Sequence, residues 1–316
     1  MSSSWKARVT DTTWTCKDGI TIAGKRWTRS KGHEKKVRII ALHGWMDNCA
    51  TFDALSQDLM AKVESKGSDV DIDFVAVDLP GHGLSSHKSI DGPSSVQAEY
   101  CYYVYEVVNQ LQWKPEDVTI IGHSMGGAVA LLFAAAFPVQ RLAILDSLGP
   151  MPKPVQAISK SLRSNIKIRA QGIMPSSVYP SFEKAVETRC KTPGLLFPGK
   201  QWISESTARS LVQRGSMIKD DGQLQFRHDQ RLNWPSMLYL TEAQLEQIHK
   251  DVANQKTSTC LLTAINGMPF PPDKISLVQN LLKPDVLKSL PGSHHFHSDP
   301  DSVGGVVDSI LSWLEM

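Results

Sequence analysis

The segment around Ser124 constrains this chain more than any other part of its sequence. Residues 122–126 read Gly-His-Ser-Met-Gly, which fits the pattern G-x-S-x-G. An apolar β-branched run (118–121) precedes the motif, and an alanine-rich helical stretch (125–137) follows it. A sharp strand-to-helix turn needs glycine on both sides, because a Cβ there would collide with the neighbouring strand or helix. The motif therefore predicts that Ser124 is a nucleophile whose Oγ lies at the positive end of the following helix.

Short apolar runs alternate with helical patterns in the first half of the chain and again near its end. The strand-like runs are 19–27, 37–42, 73–77, 118–121, 142–145, 258–264 and 286–290, and the helical stretches between them include 52–64, 96–111, 125–137 and 302–314. Such alternation predicts a mostly parallel, doubly wound sheet with helices on both faces. Ligands of such sheets bind beyond the carboxyl ends of the strands. Together with the serine motif, the pattern predicts an α/β-hydrolase fold.

Residues 149–255 depart from this alternation, because helical periodicity dominates there and prolines separate short segments. We expect a helical cap, or lid, inserted into a core that is formed by residues 1–148 and 256–316. The apolar side chains of this cap are expected to line a pocket above Ser124; they are Ile158, Leu162, Ile166, Ile173, Met174 and Phe182.

Composition excludes several other classes of protein. The 316 residues carry a formal charge of only +2, and no basic stripe is interleaved with aromatic residues, so nucleic acid is not an expected partner. The five cysteines are scattered without a CxxC spacing, which favours a reducing compartment over a disulfide framework or a zinc site. No apolar run approaches the ~18 residues of a membrane span. We expect a cytoplasmic protein that needs no metal or cofactor.

The oxyanion of an acyl-transfer reaction needs backbone N–H donors, each worth about 3–4 kcal/mol. One predicted donor is Met125, which follows the nucleophile. The other is Trp45, in the loop of residues 43–47 after the third strand, where Gly44 allows the backbone to come close. His43 in the same loop is expected to be a hydrogen-bonded structural residue.

Three histidines that follow the last strand compete for the role of general base. They lie in residues 291–297, which read Pro-Gly-Ser-His-His-Phe-His. A base can accept the nucleophile's proton only from a loop that returns over the strand ends. His294 is preferred because it directly follows the Gly-Ser turn, with His297 second and His295 third.

The carboxylate that would orient this base is harder to place. Its usual position is the loop after the strand at 258–264, but residues 261–268 contain no carboxylate. The neighbouring predicted strand, 142–145, ends at Asp146, which can reach the same imidazole from the adjacent strand end. We therefore assign Asp146 as the acid, with Asp273 as the alternative. Asp78 lies in a glycine-rich turn and is expected to bind backbone N–H groups.

Five stretches of the chain together resemble the serine hydrolase-like proteins, including the kraken-type hydrolases of insects. They are residues 43–48 (HGWMDN), 78–86 (DLPGHGLSS), 122–127 (GHSMGG), 229–232 (DQRL) and 291–294 (PGSH). The resemblance spans nearly the whole chain, although GHSMGG and DLPGHGLSS mark only the wider α/β-hydrolase superfamily. It implies a helical cap after the sixth strand, a nucleophile at Ser124, a base at His294 and no acid after the seventh strand.

These features predict a serine hydrolase that cleaves small to medium carboxylic esters, or thioesters, through Ser124, His294, Asp146 and an acyl-enzyme. Epoxide hydrolases and haloalkane dehalogenases of this fold use an aspartate nucleophile, so Ser124 disfavours both reactions. The alternative is a ligand-binding protein that keeps the fold with little or no turnover.

Overall fold

A computed structural model describes residues 7–90, 97–197 and 200–316, and its main feature is a large sheet of eight strands in the spatial order β1-β2-β4-β3-β5-β6-β10-β11. These strands are β1 (Arg8–Thr15), β2 (Thr21–Arg29), β3 (Lys35–Leu42), β4 (Val70–Val77), β5 (Val118–His123), β6 (Arg141–Leu145), β10 (Ser258–Asn266) and β11 (Val286–Ser293). The pairs β1–β2 and β2–β4 are antiparallel, and the remaining neighbouring pairs are parallel. The predicted α/β-hydrolase sheet is confirmed.

Helices cover both faces of the sheet, because its strands carry apolar side chains on both faces. Ile40 and Leu42 of β3 contribute to one apolar cluster, whereas Ile39 and Ala41 contribute to another. Successive residues of a strand point to opposite faces, so each cluster lies on its own side of the sheet. The first cluster includes residues of α2 (Gln97–Gln110), α3 (Met125–Ala136) and α8 (Pro272–Leu282), and the second includes residues of α1 (Asp53–Ser65) and α9 (Val303–Leu314). Val96, the predicted first residue of the α2 helix, lies outside the described residues.

Residues 149–255, called the inserted segment below, lie between β6 and β10. They contain the helices α4 (Ile158–Arg169), α5 (Phe182–Leu196), α6 (Glu205–Gly215) and α7 (Glu242–Asn254) and the strands β7 (Val178–Tyr179), β8 (Ser216–Ile218) and β9 (Leu224–Phe226). The three strands form a small antiparallel sheet. A separate apolar cluster, which includes Val186, Leu211 and Leu224, lies inside the segment. By contrast, α7 packs against α3 and α8.

The inserted segment is bonded to loops that follow four strands of the large sheet at their carboxyl ends. The contacts are Arg189 with Asp47 after β3 (2.5 Å), Arg214 with Asp78 after β4 (2.9 Å), Gln201 with the Gly267 carbonyl after β10 (2.9 Å), and the Trp202 N–H with Ser293 Oγ at the end of β11 (2.9 Å). Because parallel strands of an α/β sheet present their binding residues at these ends, the segment lies against the edge where a ligand site is expected. Of the helices described, none is both long and apolar enough to cross a membrane.

Candidate active site

Ser124 lies on the turn between β5 and α3, with φ of 52° and ψ of −117°. This backbone conformation is rare for a residue other than glycine, and it persists only where the surroundings impose it. A Cβ on Gly122 would lie 2.3 Å from the Gly126 carbonyl oxygen, and one on Gly126 would lie 2.0 Å from the Leu42 carbonyl oxygen. Both glycines are therefore sterically required. The turn leaves Ser124 partly exposed at the N-terminus of α3.

His294 and Asp146 are hydrogen-bonded to each other. His294 directly follows β11, and its Nδ1 lies 2.6 Å from Oδ2 of Asp146, which directly follows β6. Asp146 is fully buried and also accepts hydrogen bonds from the backbone N–H groups of Ala264 (3.0 Å) and Met268 (2.8 Å). Because Nδ1 donates to the carboxylate, Nε2 of a neutral His294 is left as a proton acceptor.

The backbone around Asp146 places its carboxylate against the loop after β10. Asp146 has φ of 48°, a conformation that aspartate tolerates better than most residues. Gly267, in the loop after β10, lies directly against its carboxylate, because a Cβ there would be 2.3 Å from Asp146 Oδ2. Asp273, the alternative acid, lies exposed in the first turn of α8. Of the two candidate carboxylates, the one that contacts His294 is therefore Asp146.

Ser124 and His294 form no hydrogen bond with each other within the part of the chain that the structure describes. The proton transfer from Ser124 to His294 that the sequence predicts therefore has no hydrogen bond to follow in this structure. Catalytic hydrogen bonds of ligand-free enzymes are commonly long and tighten when substrate binds.

The two other histidines of the last loop have different partners. Nε2 of His295 lies 3.0 Å from Asp47 Oδ2, and Nε2 of His297 lies 2.9 Å from Thr51 Oγ1. Both side chains are buried. Of the three histidines in this loop, His294 is therefore the one that is hydrogen-bonded to Asp146.

The loop after β3 lies against the serine turn. A Cβ on Gly126 would be within 2.7 Å of the His43 carbonyl oxygen, so the two backbones are in close contact. The N–H of Trp45 donates to none of the described residues, and the N–H of Met125, at the start of α3, has no intrahelical acceptor. The side chain of Trp45 is half exposed, and its Nε1 donates to the Leu232 carbonyl (3.2 Å).

His43 and Asp78 have structural partners. His43 Nε2 accepts from the Leu79 N–H (2.9 Å), and its Nδ1 donates to the Gly44 carbonyl (2.7 Å). Asp78 is fully buried and accepts from the N–H groups of Cys49 (2.7 Å) and Leu84 (2.9 Å). The two residues thus fix the loops after β3 and β4.

A group of imidazoles behind Ser124 was not anticipated from the sequence. His123, His294, His295 and His297 form this imidazole cluster, with ring centroids 4.0 Å apart for His123 and His297 and 4.5 Å apart for His123 and His294. His123 Nε2 donates to the His294 carbonyl (2.8 Å), which fixes the loop that carries His294. The sequence signal for this cluster was the histidine inside the serine motif together with the three histidines of the last loop. Among the described residues no group of three His, Cys, Asp or Glu side chains has a geometry that could hold a metal.

Burial disfavours the charged form of three of these imidazoles, those of His123, His295 and His297. Burial lowers the pKa of His123 and of His297 well below the usual value. Burial also lowers the pKa of His295, although Asp47 opposes the shift. For Asp47 itself burial acts in the other direction, but His295 and Arg189 hold its pKa well below the usual range.

We expect the free energy of unfolding to fall as the pH is lowered from about 7 to about 5. Burial lowers the folded-state pKa of His43, His82, His123 and His297. The unfolded chain binds protons near pH ~6.5, where the folded chain does not, so this contribution to stability is complete above ~6.5 and is lost below it. Urea unfolding across this range should show a loss that approaches about 1.4 kcal/mol per pH unit for each such histidine below pH ~6.5. A free energy that stays constant over the range would contradict the expectation.

The apolar residues that were expected to line a pocket occupy a different environment. Ile158, Leu162 and Ile166 of α4 are 57%, 39% and 56% exposed, and Ile173 and Met174 are exposed as well, whereas Phe182 is partly buried. Side chains that are exposed to this degree face solvent and are not the walls of an enclosed pocket. The helical period showed which residues share a face but could not show which face is buried.

Comparison with known proteins agrees with this geometry. Residues 39–304 match the profile of the alpha/beta hydrolase family, so the chain belongs to that family. Within the family it belongs with the serine hydrolase-like proteins. It is 31% identical over 300 residues to a serine hydrolase-like protein of Danio rerio, covering 92% of this chain and 85% of that protein. It is 30% identical over 297 residues to a probable serine hydrolase of Drosophila melanogaster, covering 90% of this chain and 82% of that protein.

Solved structures show the same fold. The chain is similar to the crystal structure of the hypothetical protein PA1622 from Pseudomonas aeruginosa, with a TM-score of 0.81, 30% identity and coverage of 97% of this chain and 99% of that one. It is also similar to a thioesterase domain from the curacin biosynthetic pathway, with a TM-score of 0.73, 18% identity and coverage of 96% of this chain and 99% of that one. The second likeness concerns the fold alone.

Proposed function

We propose that this protein is a serine hydrolase that cleaves small to medium carboxylic esters or thioesters through Ser124, His294 and Asp146. The observation that carries the proposal is the 2.6 Å contact of His294 Nδ1 with the buried Asp146, on the same edge of the sheet as the strained Ser124 turn. A base held in one tautomer by a buried carboxylate, beside a serine of this geometry, is the arrangement that acyl transfer requires.

The chemistry proceeds in two halves. Ser124 Oγ attacks the carbonyl carbon while its proton passes to His294 Nε2, and Asp146 stabilises the resulting imidazolium. The N–H groups of Trp45 and Met125 would bind the oxyanion of the tetrahedral intermediate. The intermediate collapses to an acyl-enzyme, and the leaving alcohol or thiol takes the proton from His294. Water then attacks the acyl group with His294 as base, which releases the acid and restores Ser124.

The inserted segment would act as a cap over this reaction, with residues 1–148 and 256–316 as the core. It binds loops that follow β3, β4, β10 and β11, which include those that carry Trp45 and His294. We therefore expect a restricted approach to Ser124 and a preference for small acyl groups. A long-chain triglyceride should be a poor substrate.

The alternative is a ligand-binding protein with little or no turnover. The observation that favours it is the missing hydrogen bond between Ser124 and His294. The relatives named above are called serine hydrolase-like and probable serine hydrolase, which supports the enzyme without defining its substrate.

We expect the purified protein to hydrolyse p-nitrophenyl acetate and p-nitrophenyl butyrate faster than its Ser124→Ala variant. The hydrolysis rate should rise as a histidine loses its proton, because the base must be neutral to accept the proton of Ser124. A fluorophosphonate probe should label Ser124, as located by peptide mass spectrometry, and should inhibit hydrolysis in proportion to labelling.

The variant also serves as the control for folding, since its thermal midpoint should stay within a few degrees of the native one. A broad panel of esters and thioesters that shows no turnover above the Ser124→Ala background would favour the ligand-binding alternative. Labelling that persists in the variant would show that another residue is the nucleophile.

A further inference from the structure

Helix α4 buries polar side chains and exposes apolar ones, which is the reverse of an ordinary surface helix. Its polar residues Ser161 and Asn165 are buried, and Asn165 Nδ2 donates to the Pro235 carbonyl (2.6 Å). Its apolar residues Ile158, Leu162 and Ile166 are spaced by four and form one stripe that is exposed to solvent. A surface helix normally buries its apolar stripe and exposes its polar one. The exposed stripe is thus a feature that folding of this chain does not explain.

The apolar surface continues beyond both ends of the helix. Met151 and Val155, which precede α4, are 73% and 62% exposed, and Ile173 and Met174, which follow it, are 43% and 65% exposed. Exposed apolar side chains are common singly, but seven of them between residues 151 and 174 indicate a surface that binds something else.

The charged side chains of residues 147–182 are all positive. No aspartate or glutamate occurs between Asp146 and Glu183, whereas five cations do: Lys153, Lys160, Arg163, Lys167 and Arg169. Lys160, Arg163 and Lys167 are exposed, and none of them forms a salt bridge within the described ranges. The region would therefore attract an anionic partner.

Arg163 borders the apolar stripe, whereas Lys160 and Lys167 lie on the face of the helix opposite its buried side. Consecutive residues of a helix point about 100° apart, so Ser161, Leu162 and Arg163 face three successive directions. The buried Ser161 faces the protein, Leu162 belongs to the apolar stripe, and Arg163 lies on the far side of that stripe. An exposed helix with apolar residues on one face and lysine and arginine on its polar face is the pattern of helices that lie in the interface of a lipid bilayer.

We propose that α4, together with the flanking apolar residues 151–155 and 173–174, docks the protein onto an anionic lipid membrane. The apolar stripe would enter the boundary between headgroups and acyl chains, while Lys160, Arg163 and Lys167 contact the anionic headgroups. A second copy of this chain fits the surface poorly, because it would bring the same cations together with no acidic residue between them. An acidic protein groove is a weaker fit as well, because the apolar surface extends past both ends of the helix.

The test is sedimentation of the full chain with vesicles of phosphatidylcholine alone and of phosphatidylcholine with phosphatidylserine in a two-to-one ratio. The protein should bind the mixed vesicles and not the neutral ones, and added salt should weaken binding by screening the headgroups. The variant Lys160→Gln/Arg163→Gln/Lys167→Gln should bind on the order of 100-fold more weakly. The variant Leu162→Gln/Ile166→Gln should bind on the order of tenfold more weakly.

Matched controls come from elsewhere on the inserted segment. Ile218 of β8 is 75% exposed, and Lys184 of α5 is exposed and paired with Glu187, so Ile218→Gln and Lys184→Gln should bind like the native chain. Thermal midpoints of all the variants should match, since every change is at an exposed position. Ser124→Ala should bind the vesicles normally, which separates this proposal from the proposed hydrolase activity.

Three results would overturn the proposal. The first is absence of binding to the mixed vesicles, and the second is equal loss of binding in the control variants. The third is a dimer in solution that Leu162→Gln/Ile166→Gln converts to monomer, which would assign the apolar surface to self-association.

Discussion

Asp146→Asn is expected to lower kcat for p-nitrophenyl butyrate by about 10⁴-fold. Asp146 accepts from His294 Nδ1 and from the N–H groups of Ala264 and Met268. An asparagine has one oxygen and one NH₂ group, so it cannot serve all these donors, and it favours the tautomer of His294 that carries its proton on Nε2. That tautomer cannot accept the proton of Ser124.

The matched control is Asp273→Asn, which changes the alternative acid. Asp273 is exposed at the start of α8, and the change should leave kcat within about twofold of the native value. Equal rates for Asp146→Asn and the native chain would show that Asp146 is not the acid. A large loss in Asp273→Asn would assign the role to that residue instead.

Arg214→Leu is expected to lower the free energy of unfolding by about 3–5 kcal/mol. Arg214 of α6 is 6% exposed and pairs with the fully buried Asp78 (2.9 Å) and with Asp11 of β1 (2.7 Å). Leucine would leave the carboxylate of Asp78 buried with backbone donors but without a cation, and a buried charge that loses its partner is costly. Urea unfolding monitored by circular dichroism would measure the change.

Arg209→Leu on the same helix is the control for this substitution. Arg209 is 39% exposed, and it pairs with Glu183 and Glu205, which are 67% and 68% exposed. Exposed pairs of this kind contribute about 0–1 kcal/mol, so the variant should remain close to native stability. A similar loss in both variants would mean that leucine destabilises α6 itself and that burial of the ion pair is not the cause.

The parts of this molecule that follow from the sequence are those where local geometry and strand order leave few choices. The glycines around Ser124 required one particular turn, and the structure contains it with φ of 52°. The lack of a carboxylate after β10 predicted that the partner of His294 lies at the adjacent strand end, where Asp146 contacts it. Whether these residues form a catalytic triad stays a prediction.

Other parts could not be derived from local patterns. Strand β1 was missed because it lies at the sheet edge with most of its side chains exposed, which removes the alternation of apolar and polar residues. The imidazole cluster was missed because it joins residues 123 and 294–297, which only the fold brings together. The apolar stripe of α4 has the right period for a buried face, and its exposure depends on tertiary packing.

The close contact of Gly267 with Asp146 has an evolutionary consequence. In the more usual arrangement of this fold the acid lies after the strand that corresponds to β10, on the loop that here carries Gly267. A side chain at 267 would strike the Asp146 carboxylate, since even a Cβ would lie 2.3 Å from it. Losing Asp146 first would remove the carboxylate that contacts His294 Nδ1. A side chain at 267 and the present Asp146 therefore exclude each other, so a change of Gly267 to aspartate needs a matching loss of Asp146.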